Sequence, residues 1–236
     1  LQEEGQSRYI ITDDEFSRPD RVLQFVRNML SMSNPIEVVF GRPLDPFGNP
    51  VDAEGNSLDP AGTPFDPAGY VVRDGRVVED PQRDRVYTER LAGAIQGRLM
   101  ADTVLFSTHV LAAVLHRRLA AHNPRLDVYR RLLLGLDSRR FTTPEVDQEI
   151  EHVCAALRTL SAAGRVRLGP AVAEGSAQEL RVSALKHFAR YHSTRAAWGR
   201  EGAVVLEDPK LALYYANRLE GYPLPPPLDP SARSTH

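Results

Sequence analysis

The sequence has 236 residues, enough for one large domain or two small ones with a substantial core. Hydrophobic residues make up 42 % and charged residues 25 %, and no apolar run approaches the roughly 20 residues that a transmembrane helix needs. The single cysteine, Cys154, excludes an internal disulfide framework and a CxxC zinc site and fits a reducing compartment.

The formal net charge of −2 conceals a basic stretch in the second half of the chain. Residues 116–140 contain seven arginines and two aspartates. Such a stretch is either the solvated surface of helices or a face for anionic lipid headgroups or phosphate. The sequence pI near 6.4 argues against a dedicated nucleic-acid binder.

The N-terminal part predicts a loop, a helix and a strand in turn. Residues 1–16 are expected to be a loop. Ser17 can cap the helix that follows, Pro19 suits its first turn, and its apolar residues recur at helical spacing. The next segment, IEVVF over 36–40, is rich in β-branched residues and predicts a short buried strand.

A seven-residue D-x-x-G-x-x repeat occupies residues 44–72. An apolar residue begins each unit, and an aspartate and a glycine follow it in the first four: Leu44, Val51, Leu58, Phe65 and Val72; Asp45, Asp52, Asp59 and Asp66; Gly48, Gly55, Gly62 and Gly69. The glycines and the interspersed prolines exclude a coiled coil, and each unit predicts a turn anchored by one apolar side chain. Regular aspartates also suit calcium, but one carboxylate in seven residues is sparser than in known calcium loops.

The rest of the chain predicts mainly helices. Apolar stripes indicate helices from residue 84, from Ser107 to Asn123, and over 126–136, 142–163, 183–192 and 208–219. Thr142 and Glu145 have the spacing of a capping box. Short strands are predicted at 166–168 and 203–206.

Few residues have the spacing of a catalytic or metal site. Cys154 lies on an apolar helix stripe, which is typical of a buried inert thiol. No histidine pair has the i, i+4 spacing of helical metal ligands, and no GxSxG, Walker or GxGxxG motif occurs. The sequence therefore assigns no metal ligand.

His122 and Asp127 match the H-x-x-x-x-D pattern of acyltransferases. In that dyad the histidine deprotonates a hydroxyl and the aspartate fixes its tautomer. The match uses two common residue types at one spacing, and Pro124 interrupts the helix between them. We interpret it as a chance match.

The order of features resembles the C-terminal part of bacterial glycerol-3-phosphate acyltransferases. IEVVFGRPL over 36–44 is similar to the V-x-F-G-x-P strand and turn that closes the acyltransferase domain of that family. LFSTHVLAAVLHRR over 105–118 and FTTPE over 141–145 resemble its S-T-x-L-L-A and L-T-x-E-x-L helices. DPKLALYYANR over 208–218 is similar to its late Y-Y-x-N-x helix.

The resemblance implies an enzyme that needs no cofactor and moves a fatty acyl group from acyl-CoA or acyl carrier protein to the 1-hydroxyl of glycerol 3-phosphate. In the family, the catalytic histidine and aspartate and the blocks that hold the phosphate precede the V-x-F-G-x-P strand. The 35 residues ahead of Ile36 contain no histidine and no F-x-E-G-x-R element, and His122 follows the strand. We therefore assign no catalytic residue and expect an N-terminally truncated chain that is inactive alone.

These observations predict an α+β, mainly helical chain with four parts. Residues 1–44 are the C-terminal edge of an α/β acyltransferase domain and 45–83 a turn-rich insertion. Residues 84–222 form a helical C-terminal domain, and 223–236 a disordered proline-rich tail.

The resemblance also implies phospholipid biosynthesis in the cytoplasm, with peripheral association at the inner membrane. Four arginines of the basic stretch then become candidates for contact with an anionic membrane surface: Arg117, Arg118, Arg130 and Arg131. No nucleic-acid partner is expected.

The alternative is a non-enzymatic winged-helix interaction or scaffold module. In this interpretation the helix over 142–163 is the recognition helix and 164–168 leads into a wing. Four acidic residues on that helix, against the single Arg158, make it a poor partner for phosphate: Glu145, Asp147, Glu149 and Glu151.

Overall fold

The computed structural model describes residues 37–188 and 194–229. This part is mixed α and β, mainly helical, with small sheets, which confirms the predicted α+β class. Within these ranges, the residues from Val38 onward form one compact unit. The loop and helix predicted before residue 36 lie outside the described residues.

The strand predicted over 36–40 does not form within residues 37–40. The side chains of Val38 and Phe40 are 69 % and 91 % exposed, so they are not buried as a central strand requires. No strand within the described residues pairs with this segment, and the first β-bridge of the described chain joins Leu44 to Pro50. The buried-strand prediction is therefore wrong for this stretch.

The seven-residue repeat folds as a series of tight turns. Oδ1 of Asp45 accepts hydrogen bonds from the amides two and four residues ahead, and Asp52 and Asp59 repeat this pattern. The glycine three residues after each of these aspartates has a positive φ. Successive turns pair through bridges and two small hairpins: β1 Ser57–Leu58, β2 Pro64–Phe65, β3 Val72–Arg73 and β4 Arg76–Val77.

Seven helices follow the repeat within the described residues: α1 Pro81–Asp102, α2 Ser107–His122, α3 Val128–Leu132, α4 Thr143–Ala162, α5 Pro170–Ala173, α6 Ala177–Phe188 and α7 Pro209–Ala216. Helix α3 is much shorter than the predicted 126–136, because Asp127 caps it and it ends before Gly135. Helix α6 begins before the predicted residue 183, and residues 189–192 lie outside the described part.

The hydrophobic core is centred on α2, which packs against α4, α6 and α7. The stripe predicted for α2 has no exposed surface: Val110, Leu111, Val114, Leu115 and Leu119. Each fully buried apolar side chain of this size stabilises the fold by about 1.5–3 kcal/mol. By contrast, α1 has no buried residue and contacts the repeat, where the Arg90 guanidinium donates to Asn49 Oδ1.

Two small sheets lie on this core. Strand β5 (Val104–Leu105) pairs in parallel with β7 (Arg167–Leu168), and β6 (Arg140–Thr142), β8 (Ala197–Arg200) and β9 (Ala203–Leu206) form an antiparallel sheet in the order β6-β9-β8.

The winged-helix alternative takes 142–163 as a recognition helix that leads through 164–168 into a wing. The helix forms as α4. Residues Arg167–Leu168 pair in parallel with β5 and not with a following strand, so no wing hairpin forms there. An antiparallel hairpin forms later in the chain as β8–β9, which turns at Glu201 and Gly202.

The segment predicted as a disordered tail is held in place over 223–229. Three of its backbone groups, Pro225 O, Leu228 O and Leu228 N, bond to charged side chains of α2 and α4. Leu224 packs against the core. The disorder prediction therefore fails for these residues, and 230–236 lie outside the described part.

Candidate functional site

The structure does not join His122 to Asp127. His122 ends α2, and its Nε2 lies 2.5 Å from Oε1 of Glu145. The Asp127 carboxylate instead accepts a hydrogen bond from the Arg130 amide at 2.9 Å and so caps α3. A histidine whose ring faces another carboxylate is not oriented by Asp127 as a catalytic dyad requires.

A partly buried cluster of opposite charges joins α2 to α4. We call it the arginine–glutamate cluster, and its members are Arg117, Arg118, His122, Glu145 and Glu149. Arg117 Nε donates to Glu149 Oε1 at 2.8 Å, and Arg118 Nε donates to Glu145 Oε1 at 2.7 Å. Glu149 has no exposed surface and Arg118 is 3 % exposed. The charges are therefore paired inside the protein.

Helix geometry explains why this cluster forms here. His122 lies in the last turn of α2 and Glu145 in the first turn of α4, where the helix dipole favours each sign of charge. Thr142 caps α4, but the Glu145 side chain contacts Arg118 and His122 instead of completing a capping box. Burial raises the pKa of the Glu145 carboxyl, but the hydrogen bonds and charges of Arg118 and His122 outweigh it and hold that pKa below its usual value.

The cluster also binds the backbone of the C-terminal segment 223–229, here called the strap. Nη2 of Arg117 donates to Pro225 O at 2.7 Å, and Nη1 of Arg118 donates to Leu228 O at 2.6 Å. Oε2 of Glu149 accepts a hydrogen bond from the Leu228 amide at 2.9 Å. The donors and acceptors of the cluster already bond to one another and to the strap. The chemical role of the cluster is therefore to hold the strap in place.

The four arginines predicted to meet a membrane surface fall into two pairs. Arg117 and Arg118 belong to the arginine–glutamate cluster, with side chains only 17 % and 3 % exposed, so the prediction is wrong for both. Arg130 is 72 % exposed beside Asp127, and Arg131 is partly buried with its Nε donating to Asp127 O. Burial of a guanidinium among carboxylates and carbonyls leaves no face for a lipid phosphate.

The remaining titratable side chains that the structure describes form no second site. Burial raises the pKa of the Cys154 thiol to about 11, which keeps it protonated and unreactive. His109 and His116 lie beside the Phe106 amide and the Pro209 carbonyl, and His187 beside Ser183 O, while His192 lies outside the described residues. Within the described ranges, no group of three or more His, Cys, Asp or Glu side chains is placed to hold a metal ion.

An open groove of about 480 Å³ runs beside α1. Its α1 wall is mostly apolar and includes Ile95, Leu99 and Met100, and Arg218 and Tyr222 lie on the opposite wall. No local sequence pattern predicts this groove, because its two walls are more than a hundred residues apart in the chain. Neither His122 nor Asp127 lines it.

Each helix in the described parts of the chain is too short or too polar to cross a membrane. Comparison of the chain with protein-family models, with curated proteins and with solved structures finds no match.

Proposed function

We propose that this chain is part of a glycerol-3-phosphate 1-O-acyltransferase of phospholipid biosynthesis, which uses acyl-CoA or acyl carrier protein as donor. The chain contributes a supporting domain, and the groups that activate the glycerol 3-phosphate hydroxyl belong to another part of the enzyme. The observation that carries the proposal is the set of family-like stretches in the same order, at 36–44, 105–118, 141–145 and 208–218.

The packing of these stretches supports the proposal. Residues 105–118 contain the end of β5 and most of α2. Residues 141–145 span the end of β6 and the start of α4, and residues 208–218 contain α7. Helix α2 packs against both α4 and α7. If these stretches belong to one domain, they should be adjacent in one core although they are distant in sequence, and this packing agrees with that.

The chemistry of hydroxyl activation favours a supporting role for this chain. A general base must reach the hydroxyl and be oriented by its own partner. His122–Asp127 is the one H-x-x-x-x-D in the sequence, and its histidine faces Glu145. We therefore expect residues 1–236 alone to form no acylated product.

Two measurements test this function. The coding sequence upstream of Leu1 should encode an H-x-x-x-x-D element followed by E-G-x-R, and its absence from an extended reading frame would contradict the family assignment. The purified chain should not acylate glycerol 3-phosphate with either donor. If it does, and His122→Ala abolishes the activity while His152→Ala does not, the dyad is catalytic and the supporting role is wrong.

A second candidate function is a winged-helix nucleic-acid-binding module. The order α2, β6, α4, α6, β8–β9 favours it. The charge on α6 does not: Arg181 is paired with Asp147 at 2.7 Å, and exposed Glu179 offsets exposed Lys186.

A mobility-shift assay with duplex DNA at low salt separates the two candidates. Since α6 presents no surplus of positive charge, we expect no shift. A shift that Lys186→Glu abolishes, and that the exposed control Lys210→Glu on α7 retains, would favour the second candidate.

A further inference from the structure

Exposed apolar side chains are concentrated on α3 and the turn that follows it. Tyr129 and Leu133 are 77 % and 79 % exposed, and Leu136 and Val128 are 52 % and 37 % exposed. Tyr129 and Leu133 are four residues apart, so they share one side of this helical turn. Soluble surfaces seldom present several large apolar side chains within nine residues.

Arginines are frequent in the same stretch of the chain. Residues 125–140 contain five arginines and two aspartates, a net charge of +3 from 5 − 2. Arg125, Arg130 and Arg140 are exposed, and the pair that Arg130 makes with exposed Asp127 is 3.6 Å long and therefore weak. We call Tyr129, Leu133 and Leu136 with these three arginines the basic-apolar face.

The segment is fastened to the core, so the exposure is not that of a loose loop. The Asp127 carboxylate caps α3, and Arg139 donates to Glu207 O at 2.9 Å. Leu134 packs against the core while its neighbour Leu133 points to solvent. The fold therefore holds Leu133 outward.

We propose that the basic-apolar face docks on an anionic lipid surface. Apolar side chains can enter the boundary between headgroups and acyl chains, while guanidinium groups contact lipid phosphates. Nucleic acid fits less well, because α3 has only five residues and the protruding side chains include two leucines. The inference is independent of the proposed acyltransferase activity, and its test requires no turnover.

Vesicle sedimentation of the full chain tests the proposal. We expect binding to phosphatidylcholine vesicles that contain phosphatidylglycerol, weaker binding as salt rises, and little binding to phosphatidylcholine alone. Arg125→Gln and Arg130→Gln should each lower the partition coefficient roughly fivefold. Leu133→Asp should lower it about tenfold or more.

Matched exposed positions provide the controls. Val77→Asp on β4, where Val77 is 73 % exposed, and Arg85→Gln on α1, where the side chain is 81 % exposed, should leave vesicle binding unchanged. Circular dichroism should show the same fold for every variant. The proposal is overturned if the parent does not bind anionic vesicles, if Leu133→Asp binds like the parent, or if duplex DNA displaces the vesicles.

Discussion

Glu149 and Arg118 show how a charge is buried in this protein. The Glu149 carboxylate accepts from the Arg117 guanidinium and from the Leu228 amide, and Arg118 donates to Glu145 and to Leu228 O. Buried ion pairs contribute little net stability compared with apolar packing, but an unpaired member is costly. We infer that the cluster specifies where the strap docks more than it strengthens the core.

His109 should make stability depend on pH. Burial, aided by the charge of Arg218, lowers its pKa to about 4, and its Nδ1 accepts a hydrogen bond from the Phe106 amide. Because the unfolded chain binds this proton near the ordinary value of 6.5, stability is complete above that pH and is lost as pH falls towards 4. Burial lowers the pKa of His116 as well, so it acts in the same direction.

Urea unfolding measures the His109 effect. Between about pH 7 and about pH 5, His109 alone should reduce the free energy of unfolding by about 2 kcal/mol. His109→Gln removes the titration and should reduce this loss by that amount. A variant with the same pH dependence as the parent would show that His109 is not responsible.

At the scale of elements, α1 depends on the repeat for its position. It has no buried residue, and its Tyr87 ring packs against Phe47 and Tyr70 of the turns. Gly48 lies directly against α1, since a Cβ there would come within 3.2 Å of Leu91 Cα. A side chain at this position would therefore crowd the backbone of α1.

Gly48→Ala should be more destabilising than Gly55→Ala. Both residues have positive φ, near +81° and +91°, which costs an alanine about 1–2 kcal/mol. Only Gly48 adds a close approach to α1, which costs about 1–3 kcal/mol more. Thermal unfolding of both variants measures the difference, and equal melting temperatures would mean that the contact with α1 is unimportant.

Local patterns predicted α2, α4 and the repeat turns, because their signals lie within a few residues. The stripe from Val110 to Leu119 and the cap at Thr142 are examples. Strand β8 was missed because its Ala-Trp-Gly-Arg sequence has little strand pattern and forms through pairing with β9. The chance H-x-x-x-x-D match links His122 only to Asp127, whereas the residue that His122 contacts, Glu145, lies 23 residues away, beyond the reach of a local motif.

At the scale of the whole molecule, α2 makes many of the contacts between parts of the chain that are distant in sequence. Its core face packs against α4, α6 and α7, and its last turns bind the strap more than a hundred residues later in the chain. Proline-rich composition indicates disorder only when nothing binds the backbone. Here buried guanidinium groups bind the backbone carbonyl groups of the strap, and composition alone does not reveal these bonds.

Shortening the chain tests whether the strap is part of the folded unit. A chain ending at Asp229 keeps the strap and should unfold like the parent, whereas one ending at Tyr222 loses the bonds to Pro225 O, Pro226 O, Leu228 O and Leu228 N. Because water can replace the lost partners, each bond should contribute about 1 kcal/mol, so the free energy of unfolding should fall by about 4 kcal/mol. Urea unfolding of both shortened chains measures this, and equal stability would mean that the strap lies on the core without holding it.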